Sequence, residues 1–300
     1  MDVISCTQVS KSYANQHALN QLTFSIKEDT ITGLIGRNGA GKTTLLKTLA
    51  GYIHATMGDV QVFSKNPFNS LLVSANLVYV DDQMSFQSSL TLKELLHQGE
   101  VFYENWDMDF AMRLFKYFSF HPDDIHENLS KGKKSTFNMI FGVASRCPLT
   151  IFDEPTTGMD AAVRKDFYRV LLRDYIAYPR TIIISSHYLD EIENLLENVL
   201  LLEQGKKILH MPVDELKEYA IEVSGNRAHV TQWANGLEII TETGIEEDSM
   251  TIVVQNNLKK EKRIQGEKLG FELKPVAPSN LCLYLTDKAR GGIDDVLNYR

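Results

Sequence analysis

Residues 30–44 read Thr30-Ile31-Thr32-Gly33-Leu34-Ile35-Gly36-Arg37-Asn38-Gly39-Ala40-Gly41-Lys42-Thr43-Thr44, and the order of these residue types decides the fold. Thr30–Ile35 is a short apolar, β-prone run, and Lys42 opens a helical pattern that continues to Gly51. Between them Gly36–Thr43 matches G-x-x-x-x-G-K-[ST], and a strand before it with a helix after it is the setting this motif requires. Gly36, Gly39 and Gly41 allow a sharp turn, so that the loop with Asn38 and Ala40, continuing through Thr44, can aim its N–H groups at phosphate oxygens. The helix N-terminus adds its dipole. Lys42 is placed to reach the β- and γ-phosphates of a nucleotide, and the Thr43 hydroxyl to ligate Mg²⁺.

Working outward, β-prone runs alternate with longer helical patterns to about residue 202. Strands are expected at Leu22–Ile26, Asp59–Phe63, Leu77–Val80, Leu149–Phe152 and Thr181–Ser185, with a hairpin of Val199–Glu203 and Lys206–His210 across Gln204-Gly205. Helices are expected at Thr91–Tyr103, Met108–Phe118, Ser130–Ser145, Ala161–Ala177 and Tyr188–Leu196. This is the pattern of an α/β core, a parallel sheet with helices on both faces. The strand Leu149–Phe152 ends in Asp153-Glu154 and would deliver two carboxylates to the sheet edge that carries the phosphate loop. Asp153 would hold Mg²⁺ through water, and Glu154 would polarise an attacking water. Taken alone, Asp153-Glu154-Pro155 would also serve as an acidic turn.

Past Met211-Pro212 the pattern changes. A short helix, Val213–Tyr219, leads to a β-α-β-β-α-β order, a small α+β unit of split, ferredoxin-like type. A last helix starts at Ser279, whose hydroxyl can cap it. The expected division is therefore 1–219 and 220–300, with a helical segment inserted near 84–147.

Bulk composition narrows the classes. Of 300 residues 43% are hydrophobic and 23% charged, ordinary for a globular chain, and the net charge of −8 argues against a nucleic-acid binder. Cys6, Cys147 and Cys282 stand far apart in no metal-ligand spacing. No signal peptide opens the chain and no run approaches the ~18 apolar residues of a membrane span, so a soluble protein is expected whose membrane role needs another polypeptide.

With these motifs in place, residues 1 to about 215 resemble the ABC ATPase family. The resemblance implies ATP and Mg²⁺ as cofactors and two subunits, identical or related, that sandwich two ATP molecules and drive a separate membrane permease from the cytoplasmic face. Tyr13 falls where the family has an aromatic that stacks on adenine. Leu129-Ser130-Lys131-Gly132-Lys133 falls at the signature LSGGQ, through which one subunit closes over ATP held by the other. Ser130 and Gly132 are kept, and Lys131 and Lys133 depart from the pattern. Lysines there resemble exporters of the ABC-2 type, and Lys131, Lys133 and Lys134 could equally form a solvated basic face. Glu154 to Asp160 looks like the D-loop and its approach, and His187 like the switch histidine at the γ-phosphate. At the glutamine-loop position the pattern falls on Asp82, with Gln83 next, and either offers an oxygen to the metal or to water. The resemblance implies a regulatory or dimer-supporting tail. A soluble nucleotide-dependent regulator is the alternative function, and Glu154 argues against it because inactive relatives lose that carboxylate. A ribosome-acting relative would carry two such domains, and this chain has one phosphate loop.

Overall fold

The computed structural model describes residues 1–14, 16–245 and 248–286. Two twelve-residue strands open the chain, β1 (Asp2–Tyr13) and β2 (Gln16–Lys27), paired antiparallel. Only Leu22–Ile26 of this hairpin is legible in the sequence. Ile4 and Cys6 alternate into the core, but Gln8 turns to φ 50° and the next buried residue is Val9. This irregularity interrupts the period-2 pattern by which a strand is recognised. After β3 (Ile31–Ile35) and α1 (Lys42–Leu49), β4 (Met57–Val62) pairs with the other edge of β1. The result is a three-stranded sheet, β2-β1-β4, absent from the sequence expectation.

The chain continues through α2 (Leu71–Ala75), β5 (Leu77–Val80), α3 (Leu92–Phe102), α4 (Met108–Tyr117), α5 (Lys131–Ser145), β6 (Leu149–Asp153), α6 (Ala161–Ala177), β7 (Thr181–Ser186), β8 (Asn198–Glu203) and β9 (Lys206–Pro212). The main sheet has the order β5-β6-β7-β3-β8-β9, and its strands pair parallel from β5 to β8. Every residue of β3, β6 and β7 is buried, as a parallel sheet covered on both faces requires. Leu45, Leu46 and Leu49 of α1 share a core with Leu34, Ile151 and Ile183 of the strands. Burying each such side chain contributes about 1.5–3 kcal/mol, which anchors the helix behind the phosphate loop.

In the inserted segment a Thr91–Glu94 capping box starts α3, and Asp107 and Ser130 cap α4 and α5. Phe86, Phe137, Phe141 and Trp106 pack edge to face between these helices.

The helix expected at Tyr188–Leu196 does not form. Only Glu193–Leu195 is helical, as a 3₁₀ turn. Bonding here runs mostly three residues back, Ile192 N–H to Leu189 C=O, Leu195 N–H to Ile192 C=O and Leu196 N–H to Glu193 C=O, with one four-residue bond from Glu193 N–H to Leu189 C=O. The buried Leu189, Ile192, Leu195 and Leu196 fit a helical period, but the bonding is predominantly that of 3₁₀ turns.

The chain divides into two compact units between His210 and Met211, ahead of the boundary expected after Tyr219. The reason is local: Asn256 N–H bonds the Tyr219 carbonyl and Asn256 Nδ2 bonds that of Glu218, which ties the end of α7 (Val213–Lys217) to the second unit. That unit runs β10 (Ala220–Asn226), α8 (Arg227–Trp233), β11 (Ile239–Ile245), β12 (Ser249–Gln255), α9 (Lys260–Lys268), β13 (Glu272–Pro275) and α10 (Pro278–Thr286). Its sheet order is β11-β12-β10-β13, with all neighbours antiparallel, the split β-α-β arrangement. Val223, Val230, Trp233, Ile252 and Phe271 form its core. The last helix begins at Pro278, so Ser279 lies within the first turn and is not its cap; proline suits the first helical position. Among the described residues no helix is long and apolar enough to cross a membrane.

Each unit has its own core, so a chain ending after Pro212 should fold and keep its ATP affinity. Titration with a fluorescent ATP analogue and a single cooperative melt will check this. A folded truncation without ATP affinity would contradict it.

Candidate functional site

The phosphate loop is shaped by its glycines. Gly39 and Gly41 take φ of +84° and +103°, and a Cβ on Gly41 would lie 2.5 Å from the Ala18 carbonyl oxygen. On Gly36 it would lie 2.5 Å from the Leu202 carbonyl oxygen. Ala40 is buried in the turn, and its carbonyl accepts from Gly205 N–H. Lys42 is 5% exposed, and its ammonium donates to the Gly36 carbonyl at 2.7 Å.

Tyr13, Asn38, Gly39, Gly41, Lys42, Thr43, Thr44 and Glu154 line one cleft of about 740 Å³. Gln16, His17, Ala18 and Gln204 complete it, and sequence reasoning missed them. Gln16, His17 and Ala18 open β2, and Gln204 lies in the β8–β9 turn. β2 and that turn are joined by Asn20 N–H to the Gly205 carbonyl at 2.8 Å, a contact that no local motif announces.

Asp153 ends β6 and is buried, with a donor on each oxygen: Ser185 Oγ at 2.6 Å and Tyr79 OH at 2.9 Å. Glu154 follows with φ +47°, a left-handed conformation that costs a non-glycine residue of order 1–3 kcal/mol. Its peptide is held on both sides, the N–H by Ser185 Oγ at 2.9 Å and the C=O by Thr157 Oγ1 at 2.8 Å. The turn sends the Glu154 carboxylate into the cleft, where one oxygen lies 3.2 Å from Lys42 Nζ and the other 3.6 Å from His187 Nδ1. Lys42, Glu154 and His187, far apart in sequence, meet here.

Asp81 is a further missed residue. β5 pairs Val80 with Phe152, so Asp81 and Asp153 emerge on adjacent strands. Burial lifts the Asp81 carboxyl above its ordinary range, Lys47 opposes this, and the Asp153 charge adds to the rise. A carboxylate directly after an edge strand was the available signal.

Asp82, Gln83, Ser130, Gly132 and Asp160 do not line this cleft. Ser130 caps α5, and Asp160 caps α6 with its carboxylate on the N–H groups of Ala162 and Val163. Gly132 packs so tightly that a Cβ would lie 2.4 Å from the Gly158 carbonyl oxygen. Two of the three departures from the family pattern meet each other, Asp82 Oδ2 lying 3.5 Å from Lys131 Nζ. Gln83 Nε2 donates to the other Asp82 oxygen at 3.1 Å. Lys133 is not a solvated cation: its ammonium donates to the Phe118 carbonyl at the end of α4 and lies over the Phe120 ring. A double-mutant cycle on Asp82→Asn and Lys131→Met is expected to give a coupling of about 0.2–1 kcal/mol, because this pair is solvent-screened. Additive stabilities in urea would show that the pair contributes nothing.

A parallel sheet that brings a phosphate loop, a buried aspartate and a cleft-facing glutamate together defines a P-loop ATPase. Comparisons with known proteins specify which. The ABC transporter family profile matches residues 19–157. ABC transporter ATP-binding protein YtrB of Bacillus subtilis is 29% identical over 221 residues, spanning 74% of this chain and 76% of that protein. Bacitracin transport ATP-binding protein BcrA of Bacillus licheniformis is 30% identical over 222 residues, 72% of each chain. The solved structure of an ATP-binding subunit of an ABC transporter superposes with a TM-score of 0.64 at 22% identity, covering 72% of this chain and 92% of that one. This chain belongs to the ABC transporter family as an ATP-binding, ATP-hydrolysing subunit.

Proposed function

We propose that this subunit hydrolyses Mg²⁺-ATP between two closing subunits and so powers a separate membrane permease, in the direction of export. The observation that carries the catalytic reading is the Glu154 carboxylate set between Lys42 and His187 at the mouth of the phosphate loop. Glu154 would take the proton of a water attacking in line, while Lys42 and His187 balance charge on the γ-phosphate. Tyr13, exposed at the rim of the cleft, suits stacking on adenine.

The residues fit a Mg²⁺ ion. Among the described residues no group of three or more His, Cys, Asp or Glu gathers as a metal cage. Mg²⁺ is ordinarily held by a hydroxyl or carboxylate together with phosphate and water oxygens. Thr43 and, through water, Asp153 would hold it, and it would supply charge neutralisation on the phosphates. Of the two glutamine-loop candidates, Asp82 is engaged by Lys131 and Gln83 by Asp82, so either would have to exchange that partner for the metal or its water.

Ser130, Gly132 and Asp160 lie outside their own chain's cleft, which supports their serving ATP held by a second subunit, identical or related. The lysine-bearing signature supports export. The ATPase role is assigned to the first unit, Met1–His210, and a regulatory or dimer-supporting role to the unit from Met211 onward. The subunit would sit on the cytoplasmic face of the membrane through its permease. Phosphate release from Mg²⁺-ATP by the purified chain, and its stimulation by a co-purified membrane protein, tests this. A chain that binds ATP without turnover in either setting would overturn it.

A further inference from the structure

Asp153 and Glu154 are adjacent in sequence but do different work, and one buried hydroxyl holds both. Ser185 Oγ donates to Asp153 Oδ1 at 2.6 Å and accepts the Glu154 N–H at 2.9 Å. Ser185 is 1% exposed, so water offers these groups no substitute. On the other side Tyr79 OH donates to Asp153 Oδ2 at 2.9 Å from a ring that is 7% exposed. The sheet supplies both groups by register. Tyr79 lies opposite Ile151, two residues before Asp153 and therefore on the same face, and Ser185 lies opposite Asp153 itself.

We propose that Tyr79 and Ser185 are positioning residues for ATP hydrolysis: Tyr79 orients the metal-side carboxylate of Asp153, and Ser185 sets that carboxylate and the left-handed Glu154 peptide at once. The proposal rests on the Mg²⁺-ATP reading above. The physical argument is one of remaining freedom. A carboxylate with one donor on each oxygen cannot rotate about its Cβ–Cγ bond without breaking a buried hydrogen bond. Its remaining lone pairs then point in fixed directions, as outer-shell partners of a metal site require. The two residues are separable by what they touch. Of the two acidic residues the Tyr79 hydroxyl bonds Asp153, whereas Ser185 also bonds the residue that acts on water.

Two readouts separate them in the full-length chain. The first is Mn²⁺ binding to the complex with a non-hydrolysable ATP analogue, followed by electron paramagnetic resonance. The second is the rate of phosphate release at saturating Mg²⁺. Outer-shell changes cost about 10–100-fold in metal affinity or activity. Tyr79→Phe should weaken Mn²⁺ binding into that range, leave metal-free nucleotide affinity unchanged, and recover most turnover at high Mg²⁺. Ser185→Ala should lose turnover by that factor even at saturating Mg²⁺, and Ser185→Thr, which keeps the hydroxyl, should restore it. Melting curves accompany each variant. If Ser185→Ala does not fold, Ser185→Thr is compared with the unsubstituted chain instead: turnover within a few-fold supports the role of the hydroxyl, and a folded Ser185→Thr chain slowed about 10–100-fold overturns it. Unchanged Mn²⁺ affinity in Tyr79→Phe, or a Ser185→Thr chain as slow as a folded Ser185→Ala chain, would overturn the proposal. An unsubstituted chain that binds no Mn²⁺-nucleotide would instead overturn the reading beneath it.

Discussion

Lys42→Ala should abolish measurable ATP hydrolysis and weaken ATP binding while leaving the fold intact. The Lys42 ammonium is buried at the base of the cleft, donating to the Gly36 carbonyl at 2.7 Å and lying 3.2 Å from Glu154. It is thus fixed at the centre of the loop whose N–H groups would face the phosphates. A hydrogen bond involving a charged group contributes about 1.5–3 kcal/mol, so nucleotide affinity should fall roughly 10- to 100-fold. Turnover should fall further, by about 10²–10³-fold or more, because charge stabilisation aimed at a developing transition state is lost as well. Structural damage should be small. The Glu154 side chain that loses its partner is 32% exposed, and water can take over at that end. Phosphate-release rates, equilibrium binding of a fluorescent ATP analogue and a melting curve separate the three effects. Turnover within a few-fold of the unsubstituted chain would show that Lys42 does not face the phosphates.

The parts of this site legible in the sequence are those written contiguously. The strand, the loop and Lys42 occupy consecutive positions, and Asp153-Glu154 end a run of buried residues, so spacing and residue type suffice. The parts that escaped are made by pairing between distant strands. Gln16, His17 and Gln204 line the cleft because β2 and the β8–β9 turn are hydrogen-bonded through Asn20 and Gly205. Asp81 stands beside Asp153 because of the β5–β6 register. The β1–β2 hairpin was hidden by the irregularity at Gln8, and the 3₁₀ turn after His187 by buried Leu189, Ile192 and Leu196, whose spacing also suits an α-helix. Lys131 and Lys133 show the same limit from the other direction. As a sequence they are a basic cluster, whereas in the structure one meets Asp82 and the other the last carbonyls of α4.

Glu154→Gln is the substitution expected to separate binding from chemistry. The backbone that places this side chain is held by Ser185 and Thr157 through the peptide groups, so the φ +47° turn does not depend on the carboxylate. Glutamine keeps the shape and one oxygen that can accept from Lys42, but it cannot take a proton from water. General-base assistance is ordinarily worth about 10²–10⁴-fold, and the turnover rate should fall by that factor with ATP affinity within a few-fold of normal. Losing a negative charge beside the γ-phosphate position should, if anything, favour the bound nucleotide. With hydrolysis blocked, ATP should accumulate on the protein and hold two subunits together, so ATP should raise the mass seen by light scattering in this variant and ADP should not. If this chain closes only with a related partner, the same rise should appear when that partner is added. A Glu154→Gln chain that still turns over at a near-normal rate would remove Glu154 from the role of base. One that binds ATP, does not hydrolyse it and stays monomeric with either partner would remove ATP-driven closure from the mechanism.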